Sequence, residues 1–304
     1  MRSTLPVILN RSSGSAEDRA EDRLRAAFRA AGAEVDLHRG ENGEDVVRLA
    51  RQAAAGESEV VVVGGGDGTL GAVASVLSGG EKAMGVLPLG TLNHFAKDLA
   101  TPLDIEGAAR TVVEGRVVRV DLGEVNGKVF VNNSSLGLYP RIVRHREEQQ
   151  QQLGRGKWPA FFWATLHALH WHAPLDVLLS VEGREVRRRT PFVFVGNNLY
   201  EMEGFDIGSR ARLDGGELSV YLAPGARPLD LVFLALRAFL GRLRGSKDFE
   251  VLRTTELRIE TRGRQARVAT DGEVLVLDTP LRFRSRPGAL RVVVPRETDD
   301  RKSP

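Results

Sequence analysis

The chain has 304 residues, 42% of them hydrophobic and 27% charged, which is ample for a sizeable core and for about two domains. Forty-three Lys and Arg against forty Asp and Glu leave a formal charge of +3, so net charge gives no support to a nucleic-acid partner. With no cysteine, disulfides, thiolate metal sites and cysteine nucleophiles are excluded.

The elements read as an α/β half followed by a β-rich half. Leu5–Leu9 is a first strand, followed by small polar turn residues and a helix from Ser15 to about Ala31, with Asp18 as capping-box partner and Gly32 as its stop. A strand at Glu34–Leu37, a helix from Glu44 to Ala55 closed by Gly56, and a continuous apolar strand at Glu59–Val63 come next. Beyond a glycine-rich turn lie a helix at Thr69–Leu77, a strand at Met84–Leu87, a second small-residue turn, a helix from Asn93 and a capped helix at Asp104–Glu114. This alternation predicts a nucleotide-binding α/β domain with a mostly parallel sheet over residues 1–122.

From Val117 on, strand-like runs dominate: Val117–Leu122, Val129–Asn133, Leu175–Val181, Phe192–Gly196, Leu218–Leu222, Leu257–Glu260, Val268–Thr270 and Val274–Leu277. They predict a C-terminal β-sandwich over residues 123–287, carrying helical insertions near 139–172 and 229–243. The apolar run Leu290–Val294 is expected to return to the first domain, within a segment 288–304, as an edge strand, and Pro295–Pro304 to be a disordered end.

Gly64, Gly65, Gly66, Asp67, Gly68 and Thr69 follow a buried strand and open a helix, where backbone N–H groups converge on an anion and Asp67 brings a carboxylate to a metal or a reacting hydroxyl. No Gly-Lys-Ser/Thr follows, so the run is not a Walker A loop. Leu87-Pro88-Leu89-Gly90-Thr91-Leu92-Asn93 repeats the strand–turn–helix arrangement, and two neighbouring strand ends can frame one nucleotide. On sequence alone, Asp271-Gly272 between two strands reads as a type I′ hairpin turn.

The run GGGDGT followed at this distance by LPLGTLNHFAKDL resembles the diacylglycerol kinase catalytic domain family, and VILNRSSGS is similar to that family's opening strand and turn. Asn197-Asn198, the run from Arg212 to Leu218 and Asp271-Gly272-Glu273 extend the resemblance over nearly the whole chain. It implies a nucleotide domain, a C-terminal β-sandwich and an active site in the cleft between them, with ATP and Mg²⁺ as cofactors. By the same resemblance Asn10, Gly64 to Thr69, Gly90, Thr91 and Asn93 contact ATP, Asp67 lies near the phosphates and a catalytic Mg²⁺, and Asp271 or Glu273 accepts the proton of a lipid hydroxyl. The pattern departs at His94, where relatives have Asp after the Asn, and at Asp214-Gly215-Gly216 in place of Asp-Asp-Gly, which leaves Asp214 as the one carboxylate for a structural magnesium.

The implied function is ATP-dependent phosphorylation of a lipid hydroxyl, diacylglycerol or a related glycerolipid first. The alternatives are a soluble-metabolite kinase such as NAD kinase, which shares the first motif, and a nucleotide- or lipid-binding regulator without turnover. Trp158, Phe161, Phe162, Trp163 and Trp171 interleave with Arg155 and Lys157, and basic clusters stand at Arg187–Arg189, at Arg237, Arg242, Arg244 and Lys247, and at Arg282, Arg284 and Arg286. The aromatics suit a membrane surface or the wall of an acyl-chain pocket, and equally ordinary packing against the sandwich; the basic clusters suit anionic headgroups, and each taken alone reads first as a solvated face. No run reaches the roughly 18 apolar residues of a spanning helix and the opening apolar stretch is too short for a signal sequence, so a cytoplasmic, peripherally membrane-associated protein is expected. Nothing in the sequence bears on oligomeric state.

Overall fold

A computed structural model describes residues 4–10, 17–137, 174–181, 183–201, 209–223 and 250–296, with the side chains of 17–20 excepted. The aromatic insertion, the helix near 229–243, the Ser15 cap and the polar end from residue 297 lie outside the described residues.

Strands β1 (Thr4–Asn10), β2 (Glu34–Gly40), β3 (Val60–Gly65) and β4 (Ala83–Pro88) form a parallel sheet in the order β2-β1-β3-β4. Helices α2 (Gly43–Ala55) and α3 (Asp67–Leu77) bury Val46, Ala50, Leu70 and Val73 against one face. Helices α1 (Glu17–Ala30) and α5 (Ile105–Glu114) bury Leu24, Phe28, Ala108 and Val112 against the other. Coverage on both faces is why Val61, Val62 and Val63 are all fully buried in one unbroken apolar run. The short helix α4 (His94–Asp98) leaves the turn after β4. Asn42 and Asp104 cap α2 and α5 by accepting from Asp45 N and Gly107 N.

The second half pairs its strands antiparallel. It comprises β5 (Arg116–Val125), β6 (Lys128–Phe130), β7 (Asn133–Gly137), β8 (Leu175–Val181), β9 (Arg184–Thr190), β10 (Phe192–Asn197), β11 (Leu218–Leu222), β12 (Glu250–Thr254), β13 (Glu256–Glu260), β14 (Gln265–Thr270), β15 (Glu273–Asp278) and β16 (Leu281–Val294). One sheet runs β12-β11-β10-β7-β14-β15. It shares a core with β8, β13 and the first half of β16, where Leu136, Val195, Val220 and Val268 meet Val177, Leu179, Ile259 and Phe283. This is the expected β-sandwich.

The two halves share one sheet. Leu281–Arg286 of β16 pairs with β13 and β5; after a register shift between Arg286 and Leu290, the same strand runs parallel to β4 at Arg291↔Ala83 while still paired with β5. The returning Leu290–Val294 run is therefore an interior strand between β4 and β5, and the expected edge position is corrected. Asp121 pins the shift by accepting from Gly288 N at 2.8 Å. The expected strand Val129–Asn133 is divided between β6 and β7. No helix among the described residues is long and apolar enough to cross a membrane.

Candidate active site

The two small-residue turns meet at the carboxyl edge of the parallel sheet. Gly64 and Gly65 lie inside β3, and their missing side chains serve packing: a Cβ would strike Leu9 and Leu89 at the first and Thr69 at the second. The turn itself is Gly66 alone, with α3 beginning at Asp67 rather than Thr69. A Cβ on Gly90 would overlap the Gly66 backbone and come within 2.8 Å of Asn93 Oδ1, so close approach of the two turns requires glycine there. None of Gly64 to Gly68 has positive φ, so left-handed backbone plays no part in the run, and close approach accounts for Gly64 and Gly65. Asn93, at φ 51°, folds the second turn by accepting from Gly90 N and donating to Pro88 O and Gly90 O. Thr91 is exposed beside it. Asn10, at the end of β1, donates to Thr69 Oγ1 at 3.1 Å.

Helix α3 begins without a side-chain cap on its N-terminal amides, in contrast to α2 and α5. That leaves a helix N-terminus with N–H groups directed at the cleft, framed by Gly66, Gly68, Thr69, Asn10 and the Gly90 turn, which fits a phosphate chain.

Asp67 ties three elements together. Its Oδ2 accepts from His94 N at 3.2 Å and its Oδ1 from Phe95 N at 3.0 Å, so it caps α4 from another part of the chain. Asn132, between β6 and β7, adds its Nδ2 to Oδ1 at 3.1 Å. Three donors on four lone-pair directions leave one acceptor direction, which suits a magnesium ion held chiefly by phosphates and water. His94, at the position where the sequence pattern departs, contributes its backbone N–H to Asp67 and leaves its side chain exposed.

The Asp271-Gly272 turn of the sandwich lies over α3. Both residues have positive φ, 48° and 90°, and Thr270 pairs with Glu273, which is the type I′ hairpin the sequence predicts. The Asp271 carboxylate accepts from Val131 N at 2.8 Å, Asn132 N at 2.8 Å and Asn133 N at 3.2 Å. Burial raises Asp271 to about 7; the three amides oppose the rise and the charge of Asp67 adds to it. A Cβ on Gly71 would stand 2.7 Å from Asp271 Oδ2, so α3 shuts this carboxyl in from the other side. Glu273 is exposed, and a Cβ on Gly68 would stand 3.2 Å from its Oε1, which places that carboxylate at the open end of the helix.

Asp214 is placed elsewhere. It is exposed and paired with Arg212 at 3.0 Å, while its loop is held by Asp121 accepting from Gly216 N at 2.6 Å and Asn198 accepting from Gly215 N at 2.9 Å. No group of three acidic or histidine side chains suited to a metal occurs among the described residues. Among the described residues no second carboxylate or histidine joins Asp214, and backbone amides held by Asp121 and Asn198 secure its loop.

Residues 4–125 match the model of the diacylglycerol kinase catalytic domain, and residues 136–294 that of the YegS C-terminal NAD kinase beta sandwich-like domain. A "Probable lipid kinase YegS-like" of Pseudomonas aeruginosa PAO1 is 32% identical over 294 residues, 96% of this chain and 94% of that one. The chain belongs to the diacylglycerol kinase catalytic domain family. It is a lipid kinase, a phosphotransferase. A "Diacylglycerol kinase" of Staphylococcus carnosus is 28% identical over 76% of each chain. In fold the kinase matches the crystal structure of a diacylglycerol kinase from Bacillus anthracis, with TM-score 0.73 and 21% identity over 96% of both chains.

The kinase also contains a buried polar group at the cleft that sequence reasoning missed. Arg210 and Asp98 form an ion pair at 2.7 Å with side chains 0% and 4% exposed. Arg210 also donates to Asn132 Oδ1, Val131 O and Asn197 O, and its guanidinium lies 5.4 Å from the Tyr200 ring centroid. Burial raises Tyr200 to about 12, so its hydroxyl stays protonated. Asp98 stands inside the HFAKDL run that carried the resemblance, but nothing there marks its partner.

Proposed function

We propose that the protein transfers the γ-phosphate of ATP to the hydroxyl of a glycerolipid, with diacylglycerol as the leading substrate and Glu273 as proton acceptor. The observation that carries this reading is the uncapped N-terminus of α3, framed by the two glycine turns and faced by the Asp271–Glu273 hairpin. Amides of the first α3 turn, the Gly90 turn and the Asn10–Thr69 pair would hold the nucleotide phosphates, and the remaining acceptor direction of Asp67 would meet their magnesium ion. Bound there, Mg²⁺-ATP supplies an activated phosphoryl group and neutralises charge on its oxygens.

The two carboxylates of the hairpin have different roles. Asp271 fixes the turn against Val131–Asn133 and is closed off by Gly71, whereas Glu273 is exposed beside the helix opening and has the access that proton removal from an incoming hydroxyl needs. The names of the YegS-like and diacylglycerol kinase relatives support the lipid class.

The test is transfer of labelled γ-phosphate to diacylglycerol and to total lipid extract in mixed micelles, beside NAD as a soluble acceptor. Glu273→Gln is expected to lower kcat by about 10²–10⁴-fold with nucleotide binding retained. Labelling of NAD with none of any lipid would replace this reading with the soluble-metabolite one.

A further inference from the structure

We propose that Arg210 is a positioning residue for phosphoryl transfer, acting through Asn132 on Asp67 and Asp271. The inference rests on the reading of the cleft given above.

A buried ion pair is seldom more stabilising than apolar residues of the same volume, so packing alone does not account for Arg210. Its donors do. Nε donates to Asp98 Oδ2 at 2.7 Å, Nη1 to Val131 O at 2.7 Å and Asn197 O at 3.1 Å, and Nη2 to Asn132 Oδ1 at 2.7 Å. Because guanidinium has no acceptor, Asn132 must turn its Oδ1 to Arg210, and its Nδ2 is thereby aimed at Asp67. The flipped amide would set NH₂ against the guanidinium and a carbonyl oxygen against the Asp67 carboxylate, two repulsions at once. Arg210 thus fixes which end of Asn132 Asp67 receives.

The same contacts reach Asp271. Val131 and Asn132 donate their backbone N–H groups to its carboxylate, while the Val131 carbonyl and the Asn132 side chain are held by Arg210. Asp98 closes a ring. It stands at the end of α4, whose first two amides donate to Asp67, so Asp67, α4, Asp98, Arg210 and Asn132 form a closed circuit. Asp67 is gripped from two sides, and the Arg210–Asp98 pair orients both.

Arg210→Met alone leaves Asp98 charged and buried and is expected to unfold the protein. The experiment therefore uses the double variant Arg210→Met/Asp98→Leu, and separately Asn132→Asp, which keeps an acceptor for Arg210 but turns a carboxylate oxygen toward Asp67. Both are expected to keep the nucleotide KM within about twofold while kcat falls at least tenfold. In protein labelled with ¹⁵N-Asn, the Asn132 side-chain NH₂ is expected to exchange slowly in the wild type and fast in the double variant, with the thermal midpoint retained. Wild-type kcat in either variant, or an Asn132 amide that stays slow without Arg210, would overturn the proposal. If the unaltered protein labels no acceptor at all, the phosphotransfer reading fails by itself, and the amide exchange still decides whether Arg210 orders Asn132.

Discussion

Replacing Gly90 by Ala tests whether the two turns act as one site. The added Cβ would fall inside the contact distance of Gly66 Cα, with Gly66 N at 3.1 Å and Asn93 Oδ1 at 2.8 Å. Two of those neighbours are backbone and the third side chain is fixed by three hydrogen bonds, so relief requires the turns to part. Overpacking of this kind costs about 1–3 kcal/mol. For a chain of this length each kcal/mol corresponds to roughly 2–4 °C in Tm. The functional loss is expected to be larger, because a displacement of about 1 Å in a phosphate-holding element is enough to reduce turnover about 100-fold. The matched control is Gly43→Ala: a Cβ there meets nothing within 4 Å, so folding and activity are expected to be retained. Thermal melts and labelled-phosphate transfer on the two variants side by side decide the matter. Full activity in Gly90→Ala would refute the idea that close approach of the two turns forms the nucleotide site.

Asp271 gives a pH prediction. Its folded pKa, about 7, lies above the ordinary carboxyl value of 3.8, so between those values the native state binds more protons than the unfolded chain. Its contribution to stability therefore declines as pH rises from about 4 to about 7 and is level above that; melts across this range should show the decline in the wild type and a flatter profile in Asp271→Asn. At the 213–218 loop, chelation with EDTA is expected to leave Tm unchanged, and Asp214→Ala to shift stability by no more than about 1 kcal/mol, since its pair with Arg212 is a surface one. A clear EDTA-induced drop in the melting temperature of the nucleotide-free protein would show a structural ion there.

The parallel sheet was legible because its interior strands β3 and β4, covered on both faces, are continuous apolar runs, and because Gly56 and Gly115 stand just past the ends of α2 and α5. Strand β9 was hidden by Arg187–Arg189, a charge run on an outer strand, with Arg188 paired to Glu250 of β12. The first half of β16 was hidden by Pro287-Gly288, which reads as a turn and is a register shift within a strand. In the site, the glycine turns were legible as local patterns, and the Asp271-Gly272 hairpin needed only its own four residues. Arg210 was not: its partners Asp98 and Asn132 are 112 and 78 positions away, and each is a single residue with no local motif. Asp67 stands out in the sequence only as the acid of the glycine run; its backbone partners at His94 and Phe95 come from the meeting of two turns, which no local pattern records.

The passage of β16 between β4 and β5 has a consequence for biosynthesis. Arg291 lies beside Ala83, although the two are about two hundred residues apart in the chain, so this contact is among the most expensive in loop-closure entropy and forms late. While the ribosome is still making the sandwich, β4 stands as an open edge with its backbone N–H and C=O groups unpaired on that side, a template for wrong partners. A fragment ending after β5 would keep that gap, and the glycine turns at the end of β3 and β4 would sit on an unfinished sheet.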